Sequence, residues 1–150
     1  MELVFNEWLV EYMAPGSSHD RLVWEILDLI EARGDTVVVR RESPFMKKFY
    51  RFSKEHERLS LPVFKRFHLL LRDSKRVRIV EEEEISEVPP SLAEVIPEDD
   101  LYLATLAATT GDRTIVTTDT ALRDRLEGKE GFRVYLLEDF IRHYRVGKPA

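Results

Sequence analysis

Apolar positions along the chain alternate between short runs and helical periodicities. Leu3, Val4 and Phe5 form a run of buried-strand length, with the polar pair Asn6 and Glu7 at its carboxyl end. Residues 8–13 fit a helical turn, and residues 14–18 a break rich in Pro, Gly and Ser. Ser18 or Asp20 is then the expected cap of the next helix. In that helix Leu22, Val23, Ile26, Leu29 and Ile30 recur at the spacing of one apolar face, and Arg33 with Gly34 ends it. Residues 36–39, a threonine followed by three valines, predict a second buried strand.

Two helices are expected over residues 45–58 and 60–73, separated near Leu59 and Ser60, with Pro62 in the first turn of the second. Val77 and Ile79 alternate with charges and suggest a third strand ahead of the glutamates 81–84. Val88, Pro89 and Pro90 mark a linker, because proline has no N–H for interior ladders. Beyond Pro97, Leu101, Leu103, Ala104, Leu106 and Ala107 give a helix that Gly111 closes. A strand over 114–117, a short helix over 122–126, a strand over 134–137 and a last helix over 138–145 complete the series. Helices alternating with strands predict an α/β, three-layer domain: a central, mainly parallel sheet flanked by helices, with right-handed crossovers. At 150 residues and 43% hydrophobic content, residues 1–150 are expected to form a single domain with a core of its own.

Composition narrows the chemistry. The chain has no cysteine, so thiolate zinc sites and disulfides are excluded. Carboxylates, histidines and amide or backbone oxygens remain as metal ligands, which favours hard cations. No apolar run approaches bilayer-spanning length and no basic leader precedes the first apolar run. A cytoplasmic protein without membrane contact is the resulting expectation. The net charge of −5 conceals a steep asymmetry: residues 40–78 hold 13 Lys or Arg against 4 Asp or Glu, a surplus of nine, whereas residues 79–112 hold 10 acids and no Lys or Arg.

In an open parallel sheet, ligands sit outside the carboxyl ends of the strands. Four acidic or amide positions belong there: Asn6 after the first strand, Glu42 after the second, Asp119 after the 114–117 strand, and Asp99 with Asp100 at the start of the helix leading into that strand. Each has a structural reading. Asp100 can complement a helix dipole, Asp119 can cap the helix that follows, and a buried Asn6 can tie loops together.

The segment Pro97-Glu-Asp-Asp-Leu-Tyr-Leu-Ala-Thr-Leu-Ala, then Gly111, then Thr-Ile-Val-Thr-Thr-Asp119, resembles the PIN domain family of metal-dependent ribonucleases, toxin-type members included. It has the family's acidic helix start, alanine-rich helix and Thr-x-Asp strand end. The run Leu136-Leu137-Glu138-Asp139-Phe140 resembles the family's last strand-to-helix passage. The likeness is strongest over 97–140; elsewhere it lies in the order of elements.

The resemblance implies three or four carboxylates holding Mg2+ or Mn2+ for hydrolysis of RNA phosphodiester bonds. By position, Asp100 and Asp119 match two family acids, Thr117 the hydroxyl residue beside the second, and Glu42 the family glutamate; Asp99 and Asp124 are alternates. RNA as substrate and an antitoxin protein as restraining partner belong to the same implication; a homodimer is a further expectation for the assembly. The departure is at strand one, where Asn6 stands in place of the family's aspartate. A neutral amide oxygen binds a dication more weakly than a carboxylate. Strand alternation, if continued, would point Glu7 away from the direction of Asn6.

The basic stretch holds Lys47, Lys48, Arg51, Lys54, Lys65, Arg66 and Arg72, interleaved with Phe45, Phe49, Tyr50, Phe52, Phe64 and Phe67. Cations neutralise phosphates and exposed aromatics stack on bases, and Lys47, Lys48 and Arg51 are the expected RNA contacts. Helical spacing assigns most of the aromatics to a core stripe. No two of His19, His56, His68 and His143 have metal-ligand spacing on one helix. The alternative reading is a PIN-like RNA- or protein-binding module that has lost turnover through Asn6. A receiver-like or nucleotide-binding domain fits less well, for want of adjacent acids after strand one and of a glycine-rich phosphate loop.

Overall fold

The computed structural model describes residues 1–14, 18–56 and 61–146. The break expected over 14–18 and the helix separation at 59–60 fall largely outside these residues. Five strands, β1 (Glu2–Phe5), β2 (Thr36–Arg40), β3 (Val77–Val80), β4 (Thr114–Thr117) and β5 (Arg133–Leu136), form one all-parallel sheet in the order β3-β2-β1-β4-β5. Among the described residues eight helices surround it: α1 (Trp8–Tyr12), α2 (Asp20–Arg33), α3 (Pro44–Glu55), α4 (Pro62–Leu71), α5 (Pro90–Ala93), α6 (Leu101–Thr109), α7 (Thr120–Leu126) and α8 (Leu137–Val146).

Strand alternation divides the core in two. Leu3, Phe5, Val37, Val39, Val77 and Val116 face one side, packed on α1, α2, α3, α4 and α8. Val4, Val38, Val80, Ile115 and Val134 face the other, packed on α5, α6 and α7. Each strand therefore contributes apolar side chains to both layers, which is why the strands read as continuous runs instead of alternating ones.

Local chemistry sets the helix ends. Ser43 Oγ accepts the Met46 N–H, with Pro44 in the first turn of α3. Gly34, at φ 71°, closes α2 in the left-handed conformation that glycine adopts without strain. At the start of α2 the cap position belongs to His19, which makes no side-chain cap bond, and Asp20 is already helical. Pro90 opens the short helix α5 instead of lying in a plain linker, because a first-turn proline loses no helix bond.

The chain builds β1, β2 and β3 outward on one side, then returns past α5 and α6 to lay β4 and β5 on the other side of β1. The order reverses between β1 and β4, and the crevice outside their carboxyl ends is the topological switch point of the sheet.

Candidate active site at the switch point

Two elements meet at that crevice and are fastened to each other. The Val116 carbonyl at the end of β4 accepts hydrogen bonds from the Asn6 N–H (3.3 Å) and from the buried Trp8 indole (3.1 Å). The strand-one exit and the first turn of α1 are thus pinned to β4. Asn6 Oδ1 accepts the Glu7 N–H at 2.7 Å, while the Asn6 carbonyl accepts from Leu9 N–H. β1 ends at Phe5, and Glu7 already has αR torsions as the residue leading into α1. Strand alternation consequently does not govern where Glu7 points, and its charge acts on Asp100 and Tyr102.

On the β4 side, Thr117 is fully buried and its hydroxyl accepts the Asp119 N–H at 3.1 Å. Asp119 caps α7, its Oδ1 accepting from Ala121 N–H (2.9 Å) and Leu122 N–H (3.3 Å). Asp100 arrives from the opposite side, at the end of a 3-10 turn (Glu98–Asp100) that runs into α6. α6 packs on β1, β2 and β4, so its amino end is carried to the crevice.

Asp100 is the most telling group. Burial raises its pKa above the ordinary carboxylate value, and the negative charges of Asp119, Asp99 and Glu7 raise it further; only Arg125 opposes them. Among the described residues none of Glu7, Asp99, Asp100 and Asp119 takes part in an ion pair, and the nearby Arg123 is engaged with Asp124 and Asp139. A concentration of like charge with no close ion pair among the described residues, opposed only by the charge of Arg125, costs stability, and it is characteristic of functional sites.

Glu42 lies elsewhere. It is exposed on the far side of β2, beside Arg40, Arg41 and the glutamates 81–83, and it is not among the charges that act on Asp100. The reason is topological: β2 adjoins β1 on the side away from β4. Asp124 is committed to Arg123. Among the described residues no three acidic or histidine side chains come together as a closed ligand set.

Two contributors escape a linear reading. Glu7 is one; Tyr102, two residues beyond Asp100, is the other. Its hydroxyl is a buried side-chain polar atom that lacks a hydrogen-bond partner, alone in this among the described residues. Burial, with the charges of Glu7 and Asp100, pushes its pKa up and keeps it neutral, hence a donor. A buried donor with no acceptor is costly, and its presence beside the acids asks for a reason.

The expected RNA contacts all lie on α3. Lys47 is exposed and forms no ion pair among the described residues; Lys48 pairs with Glu11 of α1, and Arg51 approaches Glu55 at 4.0 Å. Phe45, Phe49 and Phe67 are buried and Phe52 and Phe64 partly so, whereas Tyr50 is exposed. Comparison of the chain with family models, curated proteins and solved structures finds no match.

Proposed function

We propose that this protein is a Mg2+- or Mn2+-dependent endoribonuclease of PIN-like type, with Asp100 and Asp119 as its metal-binding acids. The observation that carries the reading is the convergence at the topological switch point of the half-buried Asp100 with the charges of Asp119, Asp99 and Glu7, none of them in an ion pair among the described residues. The donor set fits such an ion in one mode only. Mg2+ keeps much of its water and is commonly held by one or two carboxylates together with substrate phosphates, which Asp100 and Asp119 can supply. A cage made wholly of acidic and histidine ligands does not fit, since among the described residues no third such side chain completes a closed set with them.

When bound, such an ion supplies an activated water and neutralises charge on the phosphodiester. The chain's own residues do the rest. Asp119 is held in place by its cap bonds and by Thr117, whereas Asp100 is carried to the crevice by the amino end of α6 and makes no cap bond of its own. The buried Tyr102 hydroxyl, neutral and without a partner, stands behind the acids and takes no direct part in holding the phosphodiester. Asn6 contributes a neutral amide oxygen where a charge would strengthen binding, so weak metal affinity and slow turnover are built into the sequence.

Calorimetry with Mn2+ and cleavage of a single-stranded RNA, each on wild type, Asp100→Asn and Asn6→Asp, test this reading. Cleavage should vanish in Asp100→Asn. In Asn6→Asp both metal affinity and cleavage should rise, about tenfold in affinity for one added anionic oxygen near a hard dication. Absence of metal binding in both wild type and Asn6→Asp removes the catalytic reading and leaves a binding module.

A further inference from the structure

A second concave feature lies apart from the acids, on the opposite face of the sheet margin. α3, α4 and the β2–β3 edge enclose an open slot of about 250 Å3. Val39, Met46, Phe49 and Ile79 form its apolar surface, and Tyr50, His68, Arg41 and Arg72 also line it. The His68 ring stacks on Phe49 at 6.0 Å between centroids and 25° between planes. Tyr50 is 58% exposed and Ile79 39% exposed, so two large hydrophobic side chains of this molecule face solvent at one slot. Arg72 is exposed and forms no ion pair among the described residues, while Arg41 shares its charge with Glu81 at 2.8 Å.

We infer that this slot receives one unpaired base of a single-stranded RNA, packed against Tyr50 and Ile79, with an adjoining phosphate held by Arg72. The inference rests on the ribonuclease reading for the identity of the polymer, and on the slot for everything else. The volume suits one planar base and falls short of the pockets that enclose drug-sized ligands. An apolar slot that is merely imperfect packing has no call for exposed aromatic surface beside a guanidinium that is unpaired among the described residues. That combination gives a base its π-face and its phosphate a counter-charge. Charge complementarity reaches beyond the slot, because it sits within the stretch of residues 40–78 that carries the basic surplus. Position agrees as well. Arg41 leaves β2 at the same carboxyl edge as the acids, and strand spacing puts the β2–β3 margin roughly 10 Å from the β1–β4 crevice. One strand of RNA can reach both.

The test measures binding in EDTA, which separates it from catalysis. Short single-stranded oligoribonucleotides, each with a single abasic site at a different position, are titrated by fluorescence anisotropy against wild type, Tyr50→Ala, Arg72→Gln and Asp100→Asn. Wild type and Asp100→Asn should lose about tenfold in affinity when one particular base is missing. Tyr50→Ala should bind intact and abasic RNA within about twofold of each other, and Arg72→Gln should weaken both while retaining the difference. Both altered residues are exposed, so the variants keep the fold. Equal affinity of wild type across the abasic set, no RNA binding at all, or base discrimination that survives in Tyr50→Ala would overturn the inference. An extended peptide as the true occupant would appear as the first or second of these results. Cleavage that persists without base discrimination removes the slot and leaves the acids; base discrimination without cleavage does the reverse.

Discussion

Asp119 combines two roles that substitution can separate. Its Oδ1 caps α7 through the Ala121 and Leu122 N–H groups, and its charge bears on Asp100. Asp119→Ala removes both, and the lost cap should cost about 1 kcal/mol. Asp119→Asn keeps an acceptor and removes the charge, so stability should hold or rise slightly. Asp100→Asn should raise the Tm of the metal-free protein by about a degree or two, corresponding to about 0.5 kcal/mol after solvent screening. The sign follows from burial and from neighbouring acids, which hold the Asp100 pKa above its unfolded value. Its cost is therefore absent at acid pH, where the group is protonated in both states, and appears as pH rises through the folded pKa. Melting curves of wild type and Asp100→Asn should converge in acid and diverge toward neutrality. A gap independent of pH would mean that packing, not charge, explains the variant.

At the scale of elements, α3 joins three features: a basic outer face, a buried aromatic stripe and the wall of the slot. Replacing Lys47, Lys48 and Arg51 together by glutamine should weaken RNA binding alike at all sequences and reduce the salt slope by about one. The reduction is smaller than three lost cations would give, because Lys48 already serves Glu11 and Arg51 lies near Glu55. A slope unchanged in an anisotropy titration would place the phosphate path elsewhere. The elements themselves were largely legible in the sequence, and for a physical reason. Val37, Val38 and Val39, or Ile115 and Val116, are buried on both faces of a parallel sheet, which demands unbroken apolar runs. The elements of the site were less so. Periodicity carried past Phe5 turned Glu7 the wrong way, because the chain changes from strand to helix within two residues there. Glu42 looked equivalent to Asp119 as an acid after a strand, but only strand order shows that β2 does not border the crevice. Tyr50 is the one aromatic of α3 that departs from the core stripe, and helical spacing alone does not say what it faces.

Over the whole molecule, the amino edge of the sheet carries the counterpart of the acid crevice. Asp35 is buried there and accepts hydrogen bonds from the Tyr144 hydroxyl of α8, from Arg33 Nε at 3.3 Å and from the Met1 amino group at 2.8 Å. Burial would raise its pKa, but these hydrogen bonds and the amino group's charge outweigh it and hold the carboxyl below the ordinary value. Its contribution is thus present above the unfolded pKa and is lost as pH falls through the depressed folded one. Tyr144→Phe should lower stability by about 1 to 2 kcal/mol at neutral pH, and by less in strong acid, as read from urea unfolding. The same loss at every pH would assign the effect to packing of the ring. The sheet joins its two edges through one pairing that has a consequence in time. β1 is made first, yet its partner on the crevice side is β4, and the bond from Trp8 to Val116 spans 108 residues. Until β4 emerges from the ribosome, β1 is a bare edge of a three-stranded sheet, and neither the Asn6 pin nor the Asp119 cap exists. Such long-range closure is slow, and the nascent edge needs shielding from other chains. It also means that a growing polypeptide lacks the assembled crevice, and with it any binding that needs Asp100 and Asp119 together, until its synthesis has passed β4 and α7.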